Sequence, residues 1–168
     1  MEDELAAWTR KRDFAPDGTL MAQEESRYVW TDWGFARTNK VEGFGGATRA
    51  TSWDYVMSGP AKGSVRERRE QSGLVTAYEY DAEGRIVAET KSAPGCMTNR
   101  VERSYAPVAP GDAAAPVDVR PRIEVKYLDG IECGRTYWVY TALTDVVERV
   151  GTQGAAYGGT NALRTVTA

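Results

Sequence analysis

The chain has 168 residues, of which 42% are hydrophobic and 27% charged, with a formal net charge of −3. That length suits one ordinary domain, and the near balance of charge gives no electrostatic basis for binding nucleic acid or a membrane surface. Histidine is absent, which removes the commonest general base, the Ser-His-Asp and Cys-His pairings and the commonest metal ligand together.

Met1 to Arg12 contains enough Glu and Ala for a short helix. Its acidic start has neither the basic opening nor the apolar run of a secretory signal, so an export signal would have to lie on further sequence. No stretch approaches the roughly 20 apolar residues of a membrane helix, and no such span is expected. Next comes Phe14-Ala15-Pro16-Asp17-Gly18-Thr19-Leu20-Met21-Ala22, an aromatic, a turn ending in glycine and a short apolar run. It aligns with Tyr80-Asp81-Ala82-Glu83-Gly84-Arg85-Ile86-Val87-Ala88.

Three later segments superimpose without a gap. They are Ser26-Arg27-Tyr28-Val29-Trp30 through Gly34, Thr51-Ser52-Trp53-Asp54-Tyr55 through Gly59, and Thr76-Ala77-Tyr78-Glu79-Tyr80 through Gly84, starting 25 residues apart. A fourth step reaches Val101 with Tyr105, and the pattern returns at Thr136-Tyr137-Trp138-Val139-Tyr140. In a strand, residues i, i+2 and i+4 share a face, so each hydroxyl projects with its two aromatics. The closing glycine can take the positive φ of a tight turn. Twenty-five residues hold two strands and two turns, one hairpin per repeat.

Between the copies, Arg66-Glu67-Arg68-Arg69 reads as a solvated strand or turn face rather than a phosphate site. Residues 106–121 carry four of the seven prolines and predict an extended, exposed loop or, equally, a boundary between two packed sub-modules. Ile123 to Leu128 is a strand entering an Asp129-Gly130 hairpin, and Asp145-Val146-Val147-Glu148 follows Tyr140 in the register of a return strand. Seventeen glycines and strict alternation oppose long helices. The reading is all-β: an antiparallel meander of successive hairpins, with a short N-terminal helix at most. It forms a single module over 1–168, with repeats near 10–25, 26–50, 51–75, 76–105 and 122–150.

The segment Gly73-Leu74-Val75-Thr76-Ala77-Tyr78-Glu79-Tyr80-Asp81-Ala82-Glu83-Gly84-Arg85-Ile86 resembles the YD repeat of the RHS family, matching its glycine, threonine, tyrosine, Tyr-Asp and Gly-Arg positions. Gly95 and Thr98 look like the opening of a following copy. The resemblance implies a twisted β-ribbon with aromatics packed between neighbouring hairpins. It also implies an exported or surface-displayed parent protein, in bacterial toxin systems a shell around a toxic domain. This chain is too short to close such a shell, so it looks like a piece of a larger repeat polypeptide, whose remainder or toxin domain is the implied partner, or like a short orphan member.

Structure is the first reading of the paired rings, because repeated residues are what a repeating core needs. A sugar-binding platform is the second, and Trp8 and Trp33, which lie outside the repeated positions, are its candidate ligand contacts. Asp81, Glu83, Asp129 and Glu132 lie in turn-like sequence, where acids serve local hydrogen bonding. Cys96 and Cys133, without histidine, would need two carboxylates to hold zinc, and no such cluster is visible; idle or buried thiols are expected, with a disulfide as the alternative. The expectation is therefore a non-catalytic structural scaffold without cofactor or metal, working outside the cell or at its surface. The alternatives are a carbohydrate- or protein-binding module and, behind it, a carboxylate-dependent glycan-acting enzyme. Unpaired ribbon edges predict edge-to-edge dimers.

Overall fold

A computed structural model describes residues 6–44, 46–112, 120–141, 145–150, 153–159 and 162–167. Its regular elements are twelve strands in one antiparallel sheet whose order follows the chain, the meander read from the sequence. The chain divides into two compact units, Met1–Ala77 and Tyr78–Ala168. The first holds β1 (Ala6–Phe14), β2 (Leu20–Thr31), β3 (Gly34–Phe44), β4 (Ala47–Tyr55), β5 (Val65–Glu70) and the start of β6 (Val75–Tyr80). The second holds the end of β6, β7 (Ile86–Ser92), β8 (Asn99–Ser104), β9 (Ile123–Leu128), β10 (Ile131–Tyr140), β11 (Asp145–Val150) and β12 (Ala162–Thr167).

One expectation is overturned. The described part of the proposed N-terminal helix is strand β1, paired with β2 from Ala6↔Val29 to Phe14↔Leu20; Met1–Leu5 lies outside the described residues. Helix propensity summed over so few residues is weak beside a ladder of strand bonds. Arg10 of β1 also reaches Glu25 of β2 at 2.9 Å. The Pro/Ala-rich connection is free of strands where it is described, but it is not wholly exposed. Asp112 and Arg122 form an ion pair at 2.8 Å with both side chains fully buried. Ala113–Val119 of that connection lies outside the described residues. Further along, the Asp129-Gly130 turn joins Leu128 to Ile131 with both φ angles positive (49° and 78°), the geometry a two-residue hairpin requires.

Among the described residues no helix and no second sheet covers this one, so side chains must be buried by their neighbours on the same face. The register shows how. In the first unit Ser26, Lys40, Thr51 and Glu70 lie opposite one another across β2 to β5. Ser26 and Thr51 are buried, at 1% and 6% exposure. The long residues between them are held flat by ion pairs. Lys40 bridges Glu42 (2.8 Å) and Glu24 (3.1 Å), and Glu70 takes Arg68 (2.6 Å) and Arg49 (3.0 Å).

The second unit repeats the scheme along Ala88, Glu102, Val125, Arg135 and Val150, with the three small residues buried and the two long ones between them. Strands lie about 4.8 Å apart, so a small residue on one strand leaves room that a stem from each neighbour fills. Enlarging a buried small position must therefore push two paired side chains aside. Thr51→Phe is expected to lower stability by about 1–3 kcal/mol in urea unfolding, while Thr48→Phe, on the exposed stretch of the same strand, stays within about 0.5 kcal/mol.

Candidate functional site

The Tyr-Asp…Gly-Arg motif folds into a turn that binds itself. Asp81 N–H donates to the Arg85 carbonyl at 3.0 Å and Gly84 N–H to the Asp81 carbonyl at 3.1 Å. Gly84 sits at φ 81°, a conformation side chains resist. The Asp81 carboxylate then accepts from Arg85 N–H (2.8 Å), Arg85 Nε (2.7 Å) and Glu83 N–H (3.1 Å). The Arg85 guanidinium lies 4.4 Å from the centre of the Tyr105 ring, whose hydroxyl donates to the Ile86 carbonyl at 2.8 Å. Carboxylate, guanidinium and phenol are all engaged.

The same backbone pattern recurs at Ala15–Thr19, closed by Gly18, and at Glu70–Leu74, closed by Gly73. Sequence alignment had paired the first with Asp81–Arg85. The second escaped it because Glu70-Gln71-Ser72-Gly73-Leu74 shares only the glycine.

Gly34 and Gly59 also have positive φ, 114° and 79°. Tyr28 and Trp30 lie on β2, Trp53 and Tyr55 on β4, Thr76, Tyr78 and Tyr80 on β6, and Trp138 and Tyr140 on β10. Thr76, like Ser26 and Thr51, is buried, while the aromatics of these copies are half-buried or exposed. Ring–ring contacts join Trp30 with Phe35 (4.9 Å) and Tyr137 with Tyr157 (5.8 Å), both edge-on and neither between successive copies. Tyr28 and Trp53 instead meet through Arg37 of β3, whose guanidinium lies 5.6 Å and 5.9 Å from their ring centres. Sequence reading missed Arg37, although a turn at Asp32-Trp33 fixes its register opposite Tyr28. In the last copy the buried residues are Tyr137 and Val139, which alternate with the expected Trp138 and Tyr140 on the opposite face. The Tyr137 hydroxyl donates to the Ala155 carbonyl (2.7 Å), so the stretch after β11 covers that face. Tyr140 lies under Arg120 and Arg122, at 4.1 Å and 4.5 Å.

Of the proposed ligand contacts, Trp8 is 62% exposed on β1 with Arg10 at 5.0 Å. Trp33 sits at the β2–β3 turn, packed on the backbone of Gly63, with Lys62, the ion partner of Asp32, 5.6 Å from its ring. Trp33, Tyr28, Phe35, Arg37, Trp53 and Tyr55 line a groove of about 460 Å³ in the first unit.

The candidate acids are occupied. Glu132 is held by Arg135 at 2.9 Å and by Gly154 N–H, and the arginine keeps its carboxyl below the usual range. Asp129 accepts from Thr98 N–H at 2.7 Å. Burial pushes the Asp81 carboxyl up, but the Arg85 N–H and guanidinium outweigh it and hold it below the ordinary value. Both shifts oppose service as a general acid near neutral pH. Cys96 and Cys133 are free and exposed rather than buried, and no cluster of metal-ligating side chains occurs among the described residues. Both faces of β1 to β3 carry charge at mid-strand, Arg10 with Glu25 on one and Lys40 with Glu24 and Glu42 on the other. Neither offers the apolar band of a lipid-facing strand.

No protein-family model matches the chain, and no curated protein matches it. Among solved structures it is similar to a porin-like protein from Bacteroides uniformis, at 14% identity and a TM-score of 0.42, over 89% of this chain and 56% of that one. The chain thus spans little more than half the length of that structure.

Because its folded pKa is depressed, Asp81 contributes stability that is present above its unfolded value of about 3.9 and lost as pH falls through the folded one. Asp81→Asn is expected to flatten the decline in stability below about pH 4 and to lower the plateau at pH 7 by about 1–3 kcal/mol. Urea titrations at a series of pH values measure both effects.

Proposed function

We propose that this chain is a non-catalytic scaffold of β-hairpin repeats, a section of a larger exported or surface-displayed polypeptide similar to the shell-forming repeats of RHS-type proteins. The observation that carries the reading is the engaged state of the Tyr80-Asp81…Gly84-Arg85 motif. The Asp81 carboxylate instead closes the hairpin, and the Arg85 guanidinium fastens it to Tyr105 of the same unit. The turn's recurrence at Ala15–Thr19 and Glu70–Leu74 supports the same reading, since a catalytic constellation has no reason to repeat.

Large apolar residues exposed on the strands and hairpin tips, among them Phe14, Met21, Phe44, Ile131 and Leu163, suit a segment flanked by more of its own kind. The natural partner of such a sheet is another hairpin added at β1 or β12, its two terminal strands. Further repeats would supply it in the parent polypeptide, and a second copy substitutes for them in isolation. Light scattering on a size-exclusion column is expected to show association that grows with concentration and is reduced by Trp8→Lys on β1. A strictly monomeric wild-type chain across that range would contradict the proposal.

A further inference from the structure

Arg37 stands apart from the other half-buried cations. Arg68, Arg85, Arg100, Arg103 and Arg135 each hold a carboxylate within about 3.2 Å. Arg37 has no carboxylate partner among the described residues. Its Nη2 donates to the Tyr28 hydroxyl at a long 3.3 Å, and its Nε, like that of Arg68, is buried with no hydrogen-bond partner. Tyr28 and Trp53 flank this group and hold it in place, and Tyr55 fixes its backbone through a 2.8 Å bond from its hydroxyl to the Arg37 carbonyl.

The groove around Arg37 has the size of a small-ligand site, which typically falls between about 300 and 1,000 Å³. Its walls are aromatic faces, and its rim carries the Lys62–Asp32 pair beside Trp33. A ligand suited to this surface needs a carboxylate for the planar fork of Arg37 and a ring whose C–H face can lie on tryptophan or tyrosine. Those requirements together describe a carboxylated pyranose.

We infer that the groove between β2 and β5 binds a uronic-acid residue of an acidic polysaccharide, with its carboxylate on Arg37 and its ring against Trp33 or Trp53. The scaffold reading does not depend on this site, and failure here leaves that reading intact.

The test titrates the full chain with trigalacturonate, with maltotriose as the neutral trisaccharide and citrate as a polyanion without a sugar ring. Calorimetry gives affinities, and amide chemical-shift mapping on the wild-type chain locates the site without any variant. Trigalacturonate is expected to bind at least tenfold more tightly than either control, with shifts confined to residues 28–37, 53–55 and 62–65. Binding should weaken as salt rises. Arg37→Gln should lose tenfold or more in affinity, a size appropriate to one charge-assisted hydrogen bond. Trp33→Ala should weaken binding at a temperature where its circular dichroism shows the variant still folded, and trigalacturonate affinity equal to the wild type's for both Arg37→Gln and Trp33→Ala would overturn the site. Equal binding of maltotriose would overturn the carboxylate assignment, and equal binding of citrate would overturn the sugar. Shifts elsewhere, or no binding of trigalacturonate at about 10 mM, would overturn the site itself.

Discussion

Burial within a sheet that has no covering layer governs this structure. Two-layer domains bury a sheet face against another element. Here the described strands are covered mainly by one another's side chains, with the stretch around Ala155 adding cover over Tyr137 of β10. The solution is an alternation across strands: small, long, small, long. Ser26, Lys40, Thr51 and Glu70 follow it in the first unit, and Ala88, Glu102, Val125, Arg135 and Val150 in the second. Ion pairs keep the long residues lying down, so their methylene stems rather than their charges supply most of the cover. An exposed pair is worth little as an electrostatic contact. As a clamp on a hydrocarbon stem it contributes more.

The same economy explains the arginines. Ring packing on ring between successive hairpins would need the copies to be neighbours, yet each copy is separated from the next by a return strand. A guanidinium on that return strand reaches both sides. Arg37 does this between Tyr28 on β2 and Trp53 on β4, and its planar face suits two rings at once. Where an acid is present, as at Asp81 with Arg85 and Tyr105, the stack is also anchored to a turn. Arg37 has rings without an acid, and that asymmetry sets it apart chemically.

Much of the fold was legible because hairpins are local. The period of 25 gave the strand pairs, Asp129-Gly130 gave its turn, and the echo between Phe14–Ala22 and Tyr80–Ala88 joined two segments that fold into the same turn. The hydroxyls at 26, 51 and 76 were recognised as a feature, but their burial was not, since small polar residues usually signal exposure. It follows only from knowing that long residues stand opposite them. The buried Asp112–Arg122 pair was hidden because a proline-rich composition speaks for a loop and says nothing of where its ends are anchored. At the N-terminus, local composition favoured a helix and long-range pairing with β2 prevailed. In the candidate groove, Trp33 could be singled out as lying off the repeat, while Arg37 required the register of the hairpin.

The most direct test compares two replacements of Lys40, both of which abolish its ion pairs. Lys40→Met keeps the hydrocarbon stem beside Ser26 and Thr51, and Lys40→Ala removes it. If stems provide the cover, the alanine variant will be less stable than the methionine variant by about 1 kcal/mol or more in urea unfolding, whereas the same two replacements at exposed Arg27 will differ by less than about 0.5 kcal/mol. Equal stability of the two Lys40 variants would show that charge rather than cover holds the sheet together, and would contradict the account.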